Sequence, residues 1–290
     1  MNHKVTVIVP VYSDWQSLSG CIESLKKHLD KRHKVLLVND CGPEADQLEV
    51  KIRKLIKGQP NFEYYRNPEN LGFVKTCNRA VFELDNSDND VLLLNSDTAV
   101  TAGFLEEMLE VLYLSDKHGA VSPRSNSATH ATIPLRPHDG VPPTPEKSYL
   151  IFKKIHKLLP RFYVAVDAPG FCLLTKRQLI KRFGLFDEVY SPGYAEETDY
   201  CLRLRQHGYL SLFANHAFVF HYRAETFTSE KKAKLKTRNK QILLKRYPDV
   251  DKLVKDYLNR VDPVDWNADM IRGPARLPFV KRFIKGRKEP

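Results

Sequence analysis

The residues best suited to chemistry stand where apolar runs stop. Val91 to Thr98 reads VLLLNSDT, four apolar residues followed by Asn95, Ser96 and Asp97. Such a run predicts a buried strand ending at a rim, and in open α/β sheets that rim is where ligands bind. A carboxylate fixed there beside amide neighbours can hold a divalent cation against a diphosphate. Asn, Ser and Asp are also ordinary turn formers, so the assignment depends on what else reaches the same rim. Val35 to Asn39 ends the same way, in Asn39-Asp40-Cys41-Gly42, and a further acidic group, Glu196-Glu197-Thr198-Asp199, opens a helical stretch. Acids at a helix start also complement the macrodipole. Helical spacing puts Glu197, Cys201, Leu204 and Gly208 on one stripe, so Glu197 is expected to face inward and Glu196 is not. Asp199 and Arg203 are spaced as an i,i+4 ion pair.

These groups need a scaffold, and the chain supplies alternating strands and helices. Lys4 to Val11 (KVTVIVPV) is a β-branched run, and Ser13 or Asp14 can cap a helix with apolar positions Leu18, Cys21, Ile22, Leu25 and Leu29. A second strand covers Val35 to Asn39, and Leu48, Ile52, Leu55 and Ile56 mark a second helix. Phe62 to Tyr65, the turn Asn70-Leu71-Gly72-Phe73 and the stripe Val74, Cys77, Val81 and Leu84 repeat the pattern before the Val91 strand. Gly103 to Leu114 predicts the next helix. Alternation of this kind implies right-handed crossovers and a mostly parallel, Rossmann-like α/β sheet flanked by helices.

Beyond Ala120-Val121-Ser122 the pattern changes. Ile133 to Pro145 holds five prolines and no periodicity, which predicts a long loop over the site. Tyr149 to Leu159 is expected to be helical, and Tyr163 to Val166 and Phe171 to Thr175 to be strands around Pro169-Gly170. A short helix from Lys176 and a helix from Glu196 to His207 follow, then separate strands at Leu210 to Phe213 and Ala217 to Phe220. From Ser229 a charged helix is expected to about Asn259. The division that follows is 1–228, in halves 1–122 and 123–228, and a basic helical extension over 229–290.

Composition excludes several classes. At 42% hydrophobic and 10% aromatic residues, the 290-residue chain is neither disordered nor fibrous. The formal charge of +11 looks like a polyanion-binding signal, but 19 Lys+Arg and 9 Asp+Glu lie from His221 onward. The first 220 residues are therefore about neutral, and a nucleic-acid-binding domain carries its basic footprint on the fold itself. The five cysteines are widely spread without metal-ligand spacing, which predicts reduced thiols. The opening MNHKVTVIVPVYSDW enters a strand pattern without an apolar signal region, so a cytoplasmic location is expected.

In order and spacing, Pro10-Val11-Tyr12, Asp40, Asn70-Leu71-Gly72-Phe73, Asn95-Ser96-Asp97 and Glu196-Glu197-Thr198-Asp199 resemble the inverting GT-A glycosyltransferases of family 2. The resemblance is to the bacterial surface-polysaccharide kind, which includes rhamnosyl- and galactofuranosyltransferases. It implies transfer of a sugar from a UDP- or dTDP-linked donor to a hydroxyl of a growing glycan or lipid-linked acceptor, with Mg2+ or Mn2+ as cofactor. Pro10, Val11 and Tyr12 would then line the nucleoside pocket, Asp40 would bond the uracil or thymine ring, and Asn70, Gly72 and Asn78 would lie under the nucleotide. Asn95 and Ser96 would belong to the diphosphate site, with Asp97 and His221 as metal ligands. Asn95 departs from the family pattern, in which an acid stands there, and leaves the site one negative charge short. Glu197 would be the base that takes the acceptor's proton, with Gly170, Glu196 and Asp199 on the acceptor side.

Two other classes are weighed. A sugar nucleotidyltransferase needs a Gly- and Lys/Arg-rich loop after the first strand, whereas the loop here is VYSDW. A non-catalytic basic binding module rests on the C-terminal charge alone. Within that charge, Phe279, Val280, Phe283 and Ile284 share one face of a short basic helix, suited to peripheral contact with an anionic bilayer at the inner face of a cell membrane.

Overall fold

The computed structural model describes residues 3–135, 137, 140–222 and 229–260. Its centre is β1 (Val5–Val11), in which Val5, Val7, Ile8, Val9 and Val11 are all fully buried. A strand covered on both faces reads as an unbroken apolar run rather than an alternation, as parallel strands do. Each such side chain contributes roughly 1.5–3 kcal/mol on burial. On one side of β1 lie β2 (Lys34–Asn39) and β3 (Phe62–Arg66), and on the other β4 (Asp90–Leu94), all parallel. The helices between them are α1 (Trp15–His28), α2 (Ala45–Leu55) and α3 (Phe73–Arg79), the last running on into a π-helical turn (Ala80–Leu84). Asp14 caps α1 by accepting from Ser17 N–H at 3.2 Å.

The second half of the sheet is mixed. The sheet runs β3-β2-β1-β4-β8-β6-β9-β5, with β5 (Thr98–Val100), β6 (His118–Arg124), β8 (Cys172–Thr175) and β9 (Leu210–His221). β8 is antiparallel to β4 and β6, β6 is parallel to β9, and β7 (Phe162–Ala165) pairs antiparallel with β9. Around these pack α4 (Phe104–Tyr113), α5 (Pro145–Ile155), α6 (Arg177–Phe183) and α7 (Glu196–Gln206). The α/β architecture expected from the alternation is present.

Three expectations are corrected. The two strands expected at 210–213 and 217–220 are one, β9, whose pairing with β6 jumps from Ala214 to Phe218. The irregularity at Asn215 and His216 interrupts the hydrophobic pattern without ending the strand, because Asn215 is held by Arg161 O, Pro160 O and Arg124. β5 was not expected, since three residues carry no periodicity. The single helix expected from 229 to 259 is two, α8 (Ser229–Arg246) and α9 (Val250–Leu258). Pro248 stands between them and cannot continue a helix. The amphipathic tail segment lies outside the described residues, as do positions 136, 138 and 139 of the proline-rich loop. The five cysteines are free, four buried and Cys41 partly so. Among the described residues, no helix is long and apolar enough to cross a membrane.

Candidate functional site

The Asn95-Ser96-Asp97 turn leaves β4 and leads directly into β5. That short strand pairs antiparallel with the end of β9, Thr98 opposite His221, and Tyr222 N–H donates to Asp97 O at 2.9 Å. The pairing brings His221 Nε2 to 3.5 Å from Asp97 Oδ1. The imidazole is held by Ser127 and Phe171, and the backbone of His221 by Asn126. Its Nδ1 lies 2.7 Å from Ser127 O, a partner that can only accept, so Nδ1 carries a proton and Nε2 is the nitrogen that faces Asp97. Phe171 stacks on the ring at 5.0 Å and 15°, and the Asn126 side chain bonds both the N–H and C=O of His221 at 2.9 Å. Asp97 is buried, while Asn95 and Ser96 before it are half-buried.

Asp97 and His221 fit a divalent cation. A carboxylate oxygen and an imidazole nitrogen 3.5 Å apart are spaced as two atoms sharing one ion at roughly 2.0–2.2 Å, and the Ser127 carbonyl fixes the tautomer that a ligand histidine needs. Among the described residues no cluster of three or more His, Cys, Asp or Glu forms a complete cage. Among the described residues, the pair thus offers two donor atoms.

Gly170 and Phe171 join this pair to the acidic helix. Phe171 covers His221, and a Cβ on Gly170 would lie 3.5 Å from Glu197 Cβ and Cγ. Glu197 is half-buried, whereas Glu196 is 5% exposed and its Oε2 has no hydrogen-bond partner among the described residues. The stripe argument is corrected here. Cys201 and Leu204 are buried as it required, but Glu196 is the deeper of the two acids. Periodicity gives the phase of a helix and not what covers its first turn, and the 190–195 segment and α3 close over that turn. Burial, and then the charge of neighbouring Asp167, push the Glu197 carboxyl up to about 7. Burial, and then Glu197, hold Glu196 well above the usual carboxylate range.

Away from this pair, the ends of β1 and β2 meet closely. A Cβ on Gly42 would lie 1.9 Å from Tyr12 O, so only glycine permits this approach beside Pro10, Val11 and Tyr12. Asp40 is 5% exposed and fully engaged: Oδ1 accepts from Asn67 Nδ2 (2.8 Å), Leu71 N–H (2.8 Å) and Thr76 Oγ1 (2.7 Å), and Oδ2 from Gly72 N–H (2.9 Å). Its observed work is to hold the 71–76 segment against the strand ends. Asn78 is likewise engaged in both directions with the backbone of Phe186, at 2.8 and 3.1 Å. Asn70 is exposed. Gly72 has φ +80°, and a Cβ there would meet Pro192 at 2.8 Å, so this segment also touches the loop that precedes Glu196. Asp199 makes the expected pair with Arg203 at 3.4 Å, but Arg246 at 2.9 Å and Tyr190 at 3.1 Å also hold it, so its buried carboxylate serves the fold.

Sequence reasoning missed Asp167, which accepts from Thr198 at 2.9 Å, and also Asn126 and Ser127, which hold His221. Only the proximity of Asp167 to the Pro169-Gly170 motif could have marked it.

Known proteins resemble this chain in sequence and in fold. A curated relative, the N-acetylglucosaminyl-diphospho-decaprenol L-rhamnosyltransferase of Mycobacterium tuberculosis, is 22% identical over 246 residues, 78% of each chain. The crystal structure of GalNAc-T7 with UDP, GalNAc and Mn2+ superposes at TM-score 0.61 with 16% identity over 78% of this chain, which spans only 44% of that one. The mannosyltransferase PcManGT of Pyrobaculum calidifontis, in complex with GDP-Man and Mn2+, superposes at TM-score 0.62 with 14% identity, covering 97% of this chain and 79% of that one. These likenesses show the GT-A fold. The sequence model of Glycosyl transferase family 2 matches residues 6–184, more than half of the chain, and the protein therefore belongs to that glycosyltransferase family.

Proposed function

We propose that this glycosyltransferase moves a hexosyl group, with inversion, from a UDP- or dTDP-sugar to a hydroxyl of a growing glycan or lipid-linked acceptor in bacterial surface-polysaccharide synthesis. The observation that carries the reading is the Asp97–His221 pair beside a half-buried Glu197 whose proton affinity is matched to neutral pH. Pro10, Val11, Tyr12 and the 70–72 turn form the nucleoside side, and Asn95 and Ser96 flank the diphosphate. Asp97 and His221 would hold Mg2+ or Mn2+, which when bound supplies positive charge to the departing diphosphate. Glu197 takes the acceptor hydroxyl's proton as that oxygen bonds the anomeric carbon, and the bond from that carbon to the diphosphate breaks on the opposite face. One displacement inverts the centre. The rhamnosyltransferase relative, whose name includes a diphospho-decaprenol acceptor, supports the lipid-linked choice. A cytoplasmic enzyme, peripheral at the inner face of the membrane, is the matching location.

A panel of sugar nucleotides with Mn2+ tests the reading. Release of UDP or dTDP in the presence of a lipid-diphosphate-sugar acceptor is expected, with the opposite anomer in the product. Turnover only with GDP-sugars, or retention, would overturn it.

Asp167 supplies a second test. Its negative charge makes ionisation of Glu197 harder, so Asp167→Asn is expected to lower the pKa of Glu197. The base is active when deprotonated, so the acid limb of kcat/KM should move to lower pH. A limb that stays in place or moves up would remove Asp167 from this role.

A further inference from the structure

Helix α8 lies beyond the residues matched by the family model, yet it grips the loop from which Glu196 and Glu197 project. Asn239 is fully buried on that helix, and its Nδ2 lies 2.9, 2.8 and 2.9 Å from the carbonyl oxygens of Tyr190, Gly193 and Tyr194. Three acceptors around one atom establish it as the nitrogen. Arg238 reaches the carbonyls of Val189 and Ser191, and Lys236 lies over the Tyr194 ring at 5.4 Å. The loop held in this way is a strained one. Tyr194 and Ala195, neither of them glycine, sit consecutively at φ 77° and 73°, and Ala195 is the N-cap of α7. Two successive residues in the left-handed region persist only where their surroundings enforce it. The next two residues are the acids of the site, and the same loop packs through Pro192 on Gly72 of the nucleotide side.

We infer that Asn239 is a positioning residue: it enforces the left-handed Tyr194–Ala195 turn from helix α8, and that turn sets where Glu197 meets the acceptor. The inference rests on the proposed role of Glu197. Asn239 touches no reacting atom and acts through three carbonyls, so its loss should appear in turnover and not in donor binding.

The test is a pair of backgrounds in the full chain. Asn239→Ala is expected to lower kcat by about 30-fold, equivalent to roughly 2 kcal/mol, with donor KM within about threefold of wild type. Ala195→Gly, which accepts φ 73° without a Cβ clash, should be near wild type alone and should restore at least about tenfold of the loss when combined with Asn239→Ala. A merely structural asparagine would not be rescued at a site it does not touch. Asn239→Leu, which keeps volume but donates no hydrogen bond, is carried through the same pair. If either variant folds only with Ala195→Gly, that too is the rescue. Wild-type turnover in Asn239→Ala, equal losses in both backgrounds, or no folding in either would overturn the inference. Glu197→Gln measured in parallel separates the two claims: full turnover there would remove the base, while rescue would still report whether Asn239 acts through the turn.

Discussion

Glu197→Gln is expected to keep the fold and donor affinity while lowering kcat by roughly 10²–10⁴-fold, the range a positioned general base contributes. The amide is nearly isosteric but cannot take the acceptor's proton. Burial and the charge of Asp167 push the Glu197 carboxyl up to about 7, so the wild-type rate should rise with pH toward that value and level above it. Glu196→Gln should be much milder. Burial, and then Glu197, hold the Glu196 carboxyl well above the usual carboxylate range, which favours its protonated form, and a neutral amide is the closest replacement for that form. Steady-state kinetics on both variants, with circular dichroism for the fold, give the answer. Equal losses, or a larger loss in Glu196→Gln, would reverse the roles of the two acids.

Asp97→Ala is expected to reduce kcat by about 10³-fold or more even at saturating Mn2+, because a missing charge on the departing diphosphate costs several kcal/mol. The substitution leaves His221 in place, since Ser127 O and the stacked Phe171 hold the imidazole, and Asn126 the backbone, independently of the Asp97 side chain. His221→Ala removes one donor nitrogen and keeps the Asp97 carboxylate, so its loss should be smaller and should lessen as Mn2+ is raised. A Mn2+ titration with UDP present separates the two variants. Near-normal kcat in Asp97→Ala with saturating metal would remove Asp97 from the metal site.

Much of the scaffold was legible because strands buried on both faces write continuous apolar runs. Lys4 to Val11, Val35 to Asn39 and the run at Val91 became β1, β2 and β4 within a residue or two, and their ends formed one rim. The turn at Asn70-Leu71-Gly72 and the helix start at Glu196 were visible through glycine and through acids at a helix N-terminus. β5 was not, because three residues have no period. The continuity of β9 was not either, because Asn215 breaks the apolar pattern while its side chain holds the strand together.

The chain's own residues determined which groups stand at the strand ends, where the acidic helix begins, and that the positive charge gathers after residue 220. Only the tertiary structure decided what those groups do. Asp97 meets His221 because the short β5 pairs in register with the end of β9, a pairing that no local pattern encodes. Asp40 turned inward to four donors, because the segment carrying Leu71, Gly72 and Thr76 folds over it. Glu196, not Glu197, became the deeper acid because the 190–195 loop covers the first turn of α7, and that loop takes its shape from Asn239, far along the chain. Periodicity reports which face of an element is covered; the identity of the covering group is set by long-range packing.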